Sequence, residues 1–203
     1  AVVTTIGGYP PYTVDAGGAD LNALTQGTYT VTVTDAEGCT TTDQFTINEP
    51  TELTSSVSGV NIDCNGFNTG SVDLTPSGGT PAYTYAWTGP AFSATTQDIS
   101  GLYAGTYDVL ITDSHGCSTT NSITLTQTDP IVITETISLY DIYNISCNGG
   151  SDGEISLAVT GGTAPYAYSW DIPASTSAVT GLIAGAYNVT VTDINLCTAV
   201  ASY

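Results

Sequence analysis

The sequence contains no lysine and no arginine, whereas it carries 19 aspartate and glutamate residues and a formal charge of −19. Such a chain cannot form a Lys or Arg salt bridge, and its folded state must tolerate self-repulsion with the help of dissolved cations. Binding to DNA or RNA is excluded, because contacts with phosphates depend on Lys and Arg. Attraction to anionic membrane surfaces is excluded for the same reason.

Long apolar runs and methionine are also missing. No segment approaches the roughly 18 apolar residues of a membrane-spanning helix, so we expect no membrane insertion. Disorder is not expected either, because 41% of the residues are hydrophobic and the mean hydropathy is +0.13. The abundant Thr, Val, Ile and Tyr residues favour β-structure. Enzymes that hold anionic substrates with Arg or Lys are excluded as a class.

The sequence is rich in repetition, since one pattern occurs three times. Each copy has a Gly-Gly pair, a strand-like segment that ends in Asp, and a Cys a few residues later. The three copies are Gly7-Gly8, Gly27–Asp35 and Cys39; Gly78-Gly79, Gly105–Asp113 and Cys117; and Gly161-Gly162, Gly185–Asp193 and Cys197. The closing cysteines lie 78 and 80 positions apart. A period of this length, filled with β-type sequence, indicates a tandem array of small β-domains.

The repeat predicts three modules: a truncated first repeat at 1–49, a complete second repeat at 50–129 and a nearly complete third repeat at 130–203. The segments Thr46–Leu53 and Thr124–Ile131 match each other at the two boundaries. Each has a proline just after the last strand and no flexible Gly/Ser spacer. We therefore expect short, stiff joints and modules arranged end to end as a rod.

The second repeat predicts the plan of one module. Short alternating segments separated by turns are expected to form six or seven antiparallel strands within about 80 residues. The predicted strands are Glu52–Ser58, Ser71–Thr75, Ala82–Trp87, a weaker Ser93–Ile99, Thr106–Thr112 and Ser122–Gln127. No helix is expected. The sequence therefore predicts an all-β protein built of antiparallel β-sandwich modules.

Two aromatic features favour an immunoglobulin-like sandwich. Trp87 and Trp170 fall on the third predicted strand, where such folds bury a tryptophan. A Leu-x-x-Gly-x-Tyr pattern ends in Tyr29, Tyr107 and Tyr187 and resembles a tyrosine corner, in which the hydroxyl bonds backbone across a turn.

The five cysteines can be placed in the repeat. Cys64 and Cys147 occupy equivalent positions, each 14 residues before its Gly-Gly pair. The equivalent cysteine of the first repeat would precede residue 1, so we interpret the chain as a fragment in which Cys39 has lost its partner. The predicted disulfides are Cys64–Cys117 and Cys147–Cys197, each stapling one end of a sandwich and worth about 4 kcal/mol. Reduced thiols or metal ligands are the alternative, but no CxxC pair is present. Disulfides imply an oxidising, extracellular setting.

Three groups of side chains offer candidate chemistry. Asp35, Asp113 and Asp193 could bind calcium at module ends, although an Asp that caps its own turn is the simpler interpretation. Exposed aromatic residues could stack on sugars, and the candidates are Tyr9, Phe67, Phe92, Tyr103, Tyr140 and Tyr143. His115 lies beside Asp113 and Ser114, but neighbours in one turn do not build a catalytic triad.

The ordered combination of Cys-x-Gly-x-x-x-Gly, Gly-Gly-Thr-x-Pro-Tyr-x-Tyr-x-Trp and Leu-x-Ala-Gly-x-Tyr-x-Val-x-Val-Thr-Asp-x-x-x-Cys resembles the SprB-type repeat. That repeat occurs in very large surface adhesins of gliding Bacteroidota that are exported by type IX secretion. The resemblance implies an extracellular filament on a Gram-negative cell, used in adhesion and gliding, with no enzymatic activity and no carried-over catalytic residues. It implies neighbouring repeats as partners, together with surface polysaccharide or outer-membrane motility and secretion machinery.

We therefore expect a non-enzymatic stalk segment of a cell-surface adhesin filament. Two alternatives remain open at the level of sequence. The sandwich-end loops could form a glycan- or surface-binding module, or the modules could be the accessory stalk of a secreted hydrolase. No cofactor is expected, apart from the calcium considered above.

Overall fold

The computed structural model describes all 203 residues and contains strands but no helix. The strands are β1 (Thr13–Asp15), β2 (Gly27–Thr34), β3 (Thr40–Ile47), β4 (Thr54–Val60), β5 (Gly70–Ser77), β6 (Thr84–Gly89), β7 (Phe92–Ala94), β8 (Ile99–Leu102), β9 (Gly105–Thr112), β10 (Ser118–Leu125), β11 (Val132–Ile137), β12 (Gly153–Thr160), β13 (Ala167–Trp170), β14 (Ala178–Leu182), β15 (Asn188–Thr192) and β16 (Thr198–Ser202). All pairings between these strands are antiparallel. The chain forms no helix that is long and apolar enough to cross a membrane.

The chain divides into two compact units, Ala1–Glu52 and Leu53–Tyr203. The first unit is a single sheet with strand order β1-β2-β3. Only Val31 among its hydrophobic residues is buried, and the rings of Tyr29 and Phe45 stack with centroids 5.7 Å apart. A single sheet of this size has little apolar surface to cover, so its core is small.

The second unit contains two β-sandwiches with separate hydrophobic cores. In the second repeat, the sheet β4-β5-β8 faces the sheet β10-β9-β6-β7. This is the A-B-E and G-F-C-C′ strand order of an immunoglobulin-like sandwich. In the third repeat, the sheet β11-β12-β14 faces the sheet β13-β15-β16. The predicted fold class, tandem immunoglobulin-like sandwiches, is confirmed.

Alternation along the strands builds each core. On β9 the side chains of Tyr107, Val109 and Ile111 are at most 1% exposed, whereas Leu110 between them is 44% exposed. Successive residues of a strand point to opposite faces, so three buried side chains from one strand line one face of the core. Trp87 on β6 lies in the same cluster, and Trp170 on β13 holds the equivalent place in the third repeat.

The segment predicted as one weak strand, Ser93–Ile99, forms two strands instead. The turn between β7 and β8 provides a carbonyl acceptor for the buried indole, since Trp87 Nε1 donates to Thr96 O at 3.1 Å. The Gln97 amide bridges back to Leu74 O at 2.7 Å. Trp170 donates in the same way to Thr176 O at 2.9 Å. The chain bends there because a buried N–H needs a partner.

Candidate functional site

Tyrosine hydroxyls hold two turns of every repeat. The tyrosine-corner residues Tyr29, Tyr107 and Tyr187 each donate to the carbonyl four residues earlier, at 2.9, 2.9 and 2.8 Å. A second set escaped the sequence analysis: Tyr12, Tyr83 and Tyr166 donate to the carbonyls of Gly7, Gly78 and Gly161. The fixed spacing of five residues from the first Gly of each Gly-Gly pair was the available signal. These tyrosines fix the Gly-Gly end of each module.

The repeated aspartates lie at this same end. Asp113 accepts hydrogen bonds from the backbone N–H groups of Thr80, His115 and Cys117, at 2.8, 2.9 and 2.9 Å. These donors hold the pKa of the Asp113 carboxyl below its usual value, with the Thr80 N–H as the largest contribution, while desolvation opposes the shift. The side chain therefore caps its own turn and ties it to the Gly-Gly loop.

Asp193 and Asp35 repeat this arrangement. Asp193 accepts from Thr163, Asn195 and Cys197 at 2.8 to 2.9 Å. Asp35 accepts from Tyr9, Glu37 and Cys39, and its pKa is also lowered, chiefly by the Cys39 N–H. Converging N–H groups present positive charge to the carboxylate and so compete with a bound cation. No group of three or more His, Cys, Asp and Glu side chains is placed to hold a metal ion.

The other candidate side chains are dispersed. Ser114 donates its hydroxyl to backbone carbonyls of Thr80 and Pro81, and the His115 ring contacts the Thr80 hydroxyl at 3.0 Å. Ser114 and His115 therefore stabilise the turn against the Gly-Gly loop and do not hydrogen-bond to each other. Five of the six aromatic candidates are exposed: Tyr9, Phe67, Tyr103, Tyr140 and Tyr143. Phe92 instead packs edge-on against Tyr107, with ring centroids 5.7 Å apart.

The cysteine prediction requires correction. The structure joins Cys64 of the second repeat to Cys197 of the third, with a Cα–Cα distance of 5.4 Å. Cys39, Cys117 and Cys147 are free and exposed. The predicted pairs Cys64–Cys117 and Cys147–Cys197 are therefore wrong, and the disulfide links two modules instead of stapling one.

Strand direction explains the error. Ile62 N donates to Thr126 O, which places Cys64 at the end of the sandwich where β10 finishes. Cys117 lies at the other end, between Thr112 of β9 and Ser118 of β10. Seven residue steps along β9 correspond to about 23 Å. A disulfide requires Cα atoms within about 7 Å, so Cys64 cannot reach Cys117.

A six-residue loop on the second repeat, Asn61–Gly66, contacts the linker Thr126–Asp129, which leads to the third repeat. Ile62 N donates to Thr126 O at 2.9 Å, and Asn61 Oδ1 accepts from Thr126 N at 2.9 Å. Gly66 N donates to Gln127 Oε1 at 2.8 Å. The linker backbone is thus held along its length and is not a free tether.

The same loop also holds the end of the linker. Thr128 Oγ1 donates to Asp63 O at 2.8 Å, and Asn65 Nδ2 donates to Thr128 O at 3.0 Å. The Cys197 sulfur lies 3.3 Å from Asp63 O, a contact without a proton because this sulfur is disulfide-bonded. Every residue of Asn61–Gly66 therefore touches the linker or the next repeat.

The third repeat meets the linker through its Gly-Gly pair. Gly162 N donates to Asp129 O at 2.9 Å. A Cβ on Gly161 would collide with the Pro130 carbonyl, and a Cβ on Gly162 would lie 2.7 Å from the Ile131 side chain. Both glycines also have positive φ, +71° and +57°. Only glycine combines this backbone conformation with such a close approach.

Two segments of the chain, residues 56–92 and 139–175, match the SprB repeat. The matches fall in the second and third repeats and confirm the resemblance drawn from the sequence. No curated protein matches the chain at a significant level.

Several solved structures match the chain. The structure of Drosophila OTK extracellular domains 3–5 is 13% identical, with 87% of this chain and 69% of that chain covered and a TM-score of 0.30. A Dscam structure described as the basis for isoform specificity is 17% identical, with 86% and 53% covered and a TM-score of 0.28. The chain thus spans about half the length of this Dscam chain. No functional conclusion follows from these similarities, and the immunoglobulin-like assignment rests on the strand order above.

The matches to the SprB repeat support an adhesin-like structural role at the cell surface, and they indicate no catalytic family.

Proposed function

We propose that the chain is a non-enzymatic, load-bearing stalk segment of a secreted cell-surface adhesin filament. The observation that carries the proposal is the Cys64–Cys197 disulfide, which spans the boundary between two modules. A bond within one module would protect that module alone. A bond between modules also fixes the joint, so tension cannot separate the two modules while the bond is intact.

The covalent path explains how the segment would bear force. Tension applied at the two ends passes through the disulfide from Cys64 to Cys197. The chain between these two cysteines, which are 133 positions apart, carries none of it. This stretch contains nearly all of both hydrophobic cores of the second unit, since only Leu53 and Ile62 among their buried residues precede it. At an extended length of about 3.4 Å per residue, roughly 450 Å of chain cannot be pulled out while the bond is intact.

Single-molecule pulling on the full chain, with handles at its two termini, tests this role. The oxidised chain should release length only from the residues outside the disulfide loop. The Cys64→Ser variant should release about 450 Å more, because both sandwiches can then unfold. The Cys117→Ser variant removes an exposed thiol outside the bond and should behave as the unsubstituted chain. Release of the full length from the oxidised chain would show that the junction bears no load.

We further propose that this segment serves adhesion and gliding motility on the surface of a Gram-negative bacterium that uses type IX secretion. The SprB repeats support this setting. Neighbouring repeats, surface polysaccharide and the outer-membrane motility or secretion machinery are its proposed partners. Antibodies against the chain should label intact cells and follow moving filaments, and deletion of the repeats should impair surface attachment. Labelling that required lysed cells would contradict the proposal.

A further inference from the structure

The junction loop of the second repeat recurs in the third. Asn61-Ile62-Asp63-Cys64-Asn65-Gly66 corresponds to Asn144-Ile145-Ser146-Cys147-Asn148-Gly149, with five of six residues identical. In the second repeat all six residues contact the linker or the following module. The identity therefore covers the residues that build the junction.

The two loops also have the same local geometry. Gly66 and Gly149 adopt φ values of +78° and +80°. The residue after each glycine donates to the cysteine carbonyl, at 3.2 Å for Cys64 and 2.9 Å for Cys147. The Cys147 thiol is free and exposed, in the position that Cys64 occupies in the second repeat.

A matching cysteine turn ends the penultimate strand of each repeat. The N–H of Cys117 and that of Cys197 both donate to the preceding Asp Oδ1 at 2.9 Å. The Asp N–H returns a bond to the cysteine carbonyl, at 2.9 Å for Cys117 and 3.0 Å for Cys197. Any repeat of this type therefore offers a thiol in the position from which Cys197 bonds Cys64.

An open cleft of about 1010 Å³ lies beside Cys147. It is lined by apolar and aromatic side chains, including Ile142, Tyr143, Ile183, Tyr187 and Tyr203. In the second repeat the linker Thr126–Asp129 lies against the equivalent loop, and Ile62 there is only 1% exposed. The equivalent isoleucine of the third repeat, Ile145, is half-buried and lines the cleft.

We infer that Asn144–Gly149 and this cleft form a docking end for a further repeat of this type. The linker of that repeat lies along the loop, as Thr126–Asp129 lies along Asn61–Gly66. Its turn cysteine, equivalent to Cys197, forms a disulfide with Cys147. Each junction of the array is thereby closed by a bond from one module to the next, and no bond lies within a module.

The bond forms by thiol–disulfide exchange with a small-molecule disulfide such as oxidised glutathione. The Cys147 thiolate attacks the small disulfide and displaces one reduced thiol, and the second cysteine then attacks the mixed disulfide and displaces the other. Two protein thiols are oxidised, and one small disulfide is reduced to two thiols.

An extended chain tests the inference. Because Cys197 aligns with Cys117, Tyr203 aligns with Ile123, and a second copy of residues 124–203 can follow Tyr203 in register. The appended copy contains a second Cys147, which is replaced by serine. Any linked peptide that contains Cys147 then comes from the original chain. After folding in a glutathione redox buffer, non-reducing chymotryptic mapping should give a Cys147–Cys197 linked peptide together with the Cys64–Cys197 peptide.

Two controls identify the partner of Cys147. The unextended chain should give only the Cys64–Cys197 peptide and an alkylatable Cys147. Cys147→Ser in the original part of the extended chain should remove the new peptide yet keep slow hydrogen exchange at the Gly149 amide, which docking of the linker protects.

An alkylatable Cys147 in the folded extended chain, with no exchange protection at Gly149, would overturn the inference. A disulfide-linked dimer in place of the internal bond would assign the cleft to a second copy and would also overturn it. The adhesive role is tested on cells and does not depend on this result.

Discussion

At the scale of single residues, one carboxylate organises each module end. Asp113 is 5% exposed and receives three backbone N–H groups from two loops. A chain without Lys or Arg has no ion pairs with which to fix its turns, so buried carboxylates are satisfied by main-chain donors instead. Turn capping by Asp could be predicted from the sequence, but the bond from the Gly-Gly loop could not, because Thr80 lies 33 positions away.

The pKa of Asp113 makes a pH-dependent contribution to stability. Because this pKa is lowered in the folded state, the unfolded state binds more protons as the pH falls. The contribution is therefore present above the unfolded value of about 3.9 and is lost as the pH falls through the folded value. The Asp113→Asn variant should be less stable than the unsubstituted chain at pH 7, and the difference should shrink below about pH 4.

Urea titrations at several pH values measure this difference. The exposed Asp108 provides the control, since Asp108→Asn removes one charge from the neighbouring strand and no turn contact. A pH-independent gap between Asp113→Asn and the unsubstituted chain would show that the charge of Asp113 does not matter to the turn.

At the scale of strands, period-two alternation predicted most of the second repeat. The third and fifth predicted strands lie within two residues of β6 and β9, because Tyr and Val alternate there with polar residues. Ser93–Ile99 failed because no alternation marks the turn that accepts the Trp87 indole. That single error changes the number of strands between Cys64 and Cys117 from four to five. Each strand crosses the sandwich from one end to the other, so five strands leave Cys117 at the end opposite Cys64. The predicted Cys64–Cys117 pairing was therefore wrong as well.

Two neighbouring residues of β9 test the alternation directly. Ile111 is fully buried in the core, whereas Leu110 is 44% exposed. Ile111→Ala should lower the free energy of unfolding by about 2–5 kcal/mol, through lost burial and the cavity that remains. Leu110→Ala should change it by less than about 0.5 kcal/mol. Urea unfolding followed by tryptophan fluorescence measures both, and equal losses would contradict the register of β9.

At the scale of the whole molecule, the sequence repeat does not show whether a disulfide lies within one module or joins two modules. In both cases the bond connects the same two positions of the repeat pattern. Cys64 therefore has two partners of equal standing in the sequence, Cys117 and Cys197. Only the end of the sandwich at which each loop lies separates them, and this depends on the path of every intervening strand. The Asn-Ile-x-Cys-Asn-Gly loop could be recognised from the sequence, whereas its partner required the fold.

The uncompensated charge of −19 predicts how the whole chain responds to salt. Screening can only weaken repulsion here, because the chain has no Lys or Arg ion pair to lose. The melting temperature should therefore rise steadily from about 0.01 M to 1 M NaCl, as the Debye length falls from about 30 Å to 3 Å. Calcium and magnesium chloride at equal concentrations should act alike, since backbone N–H groups already hold Asp35, Asp113 and Asp193. Calorimetry measures both effects. A rise specific to calcium, abolished by Asp113→Asn, would show instead that these turns bind the ion.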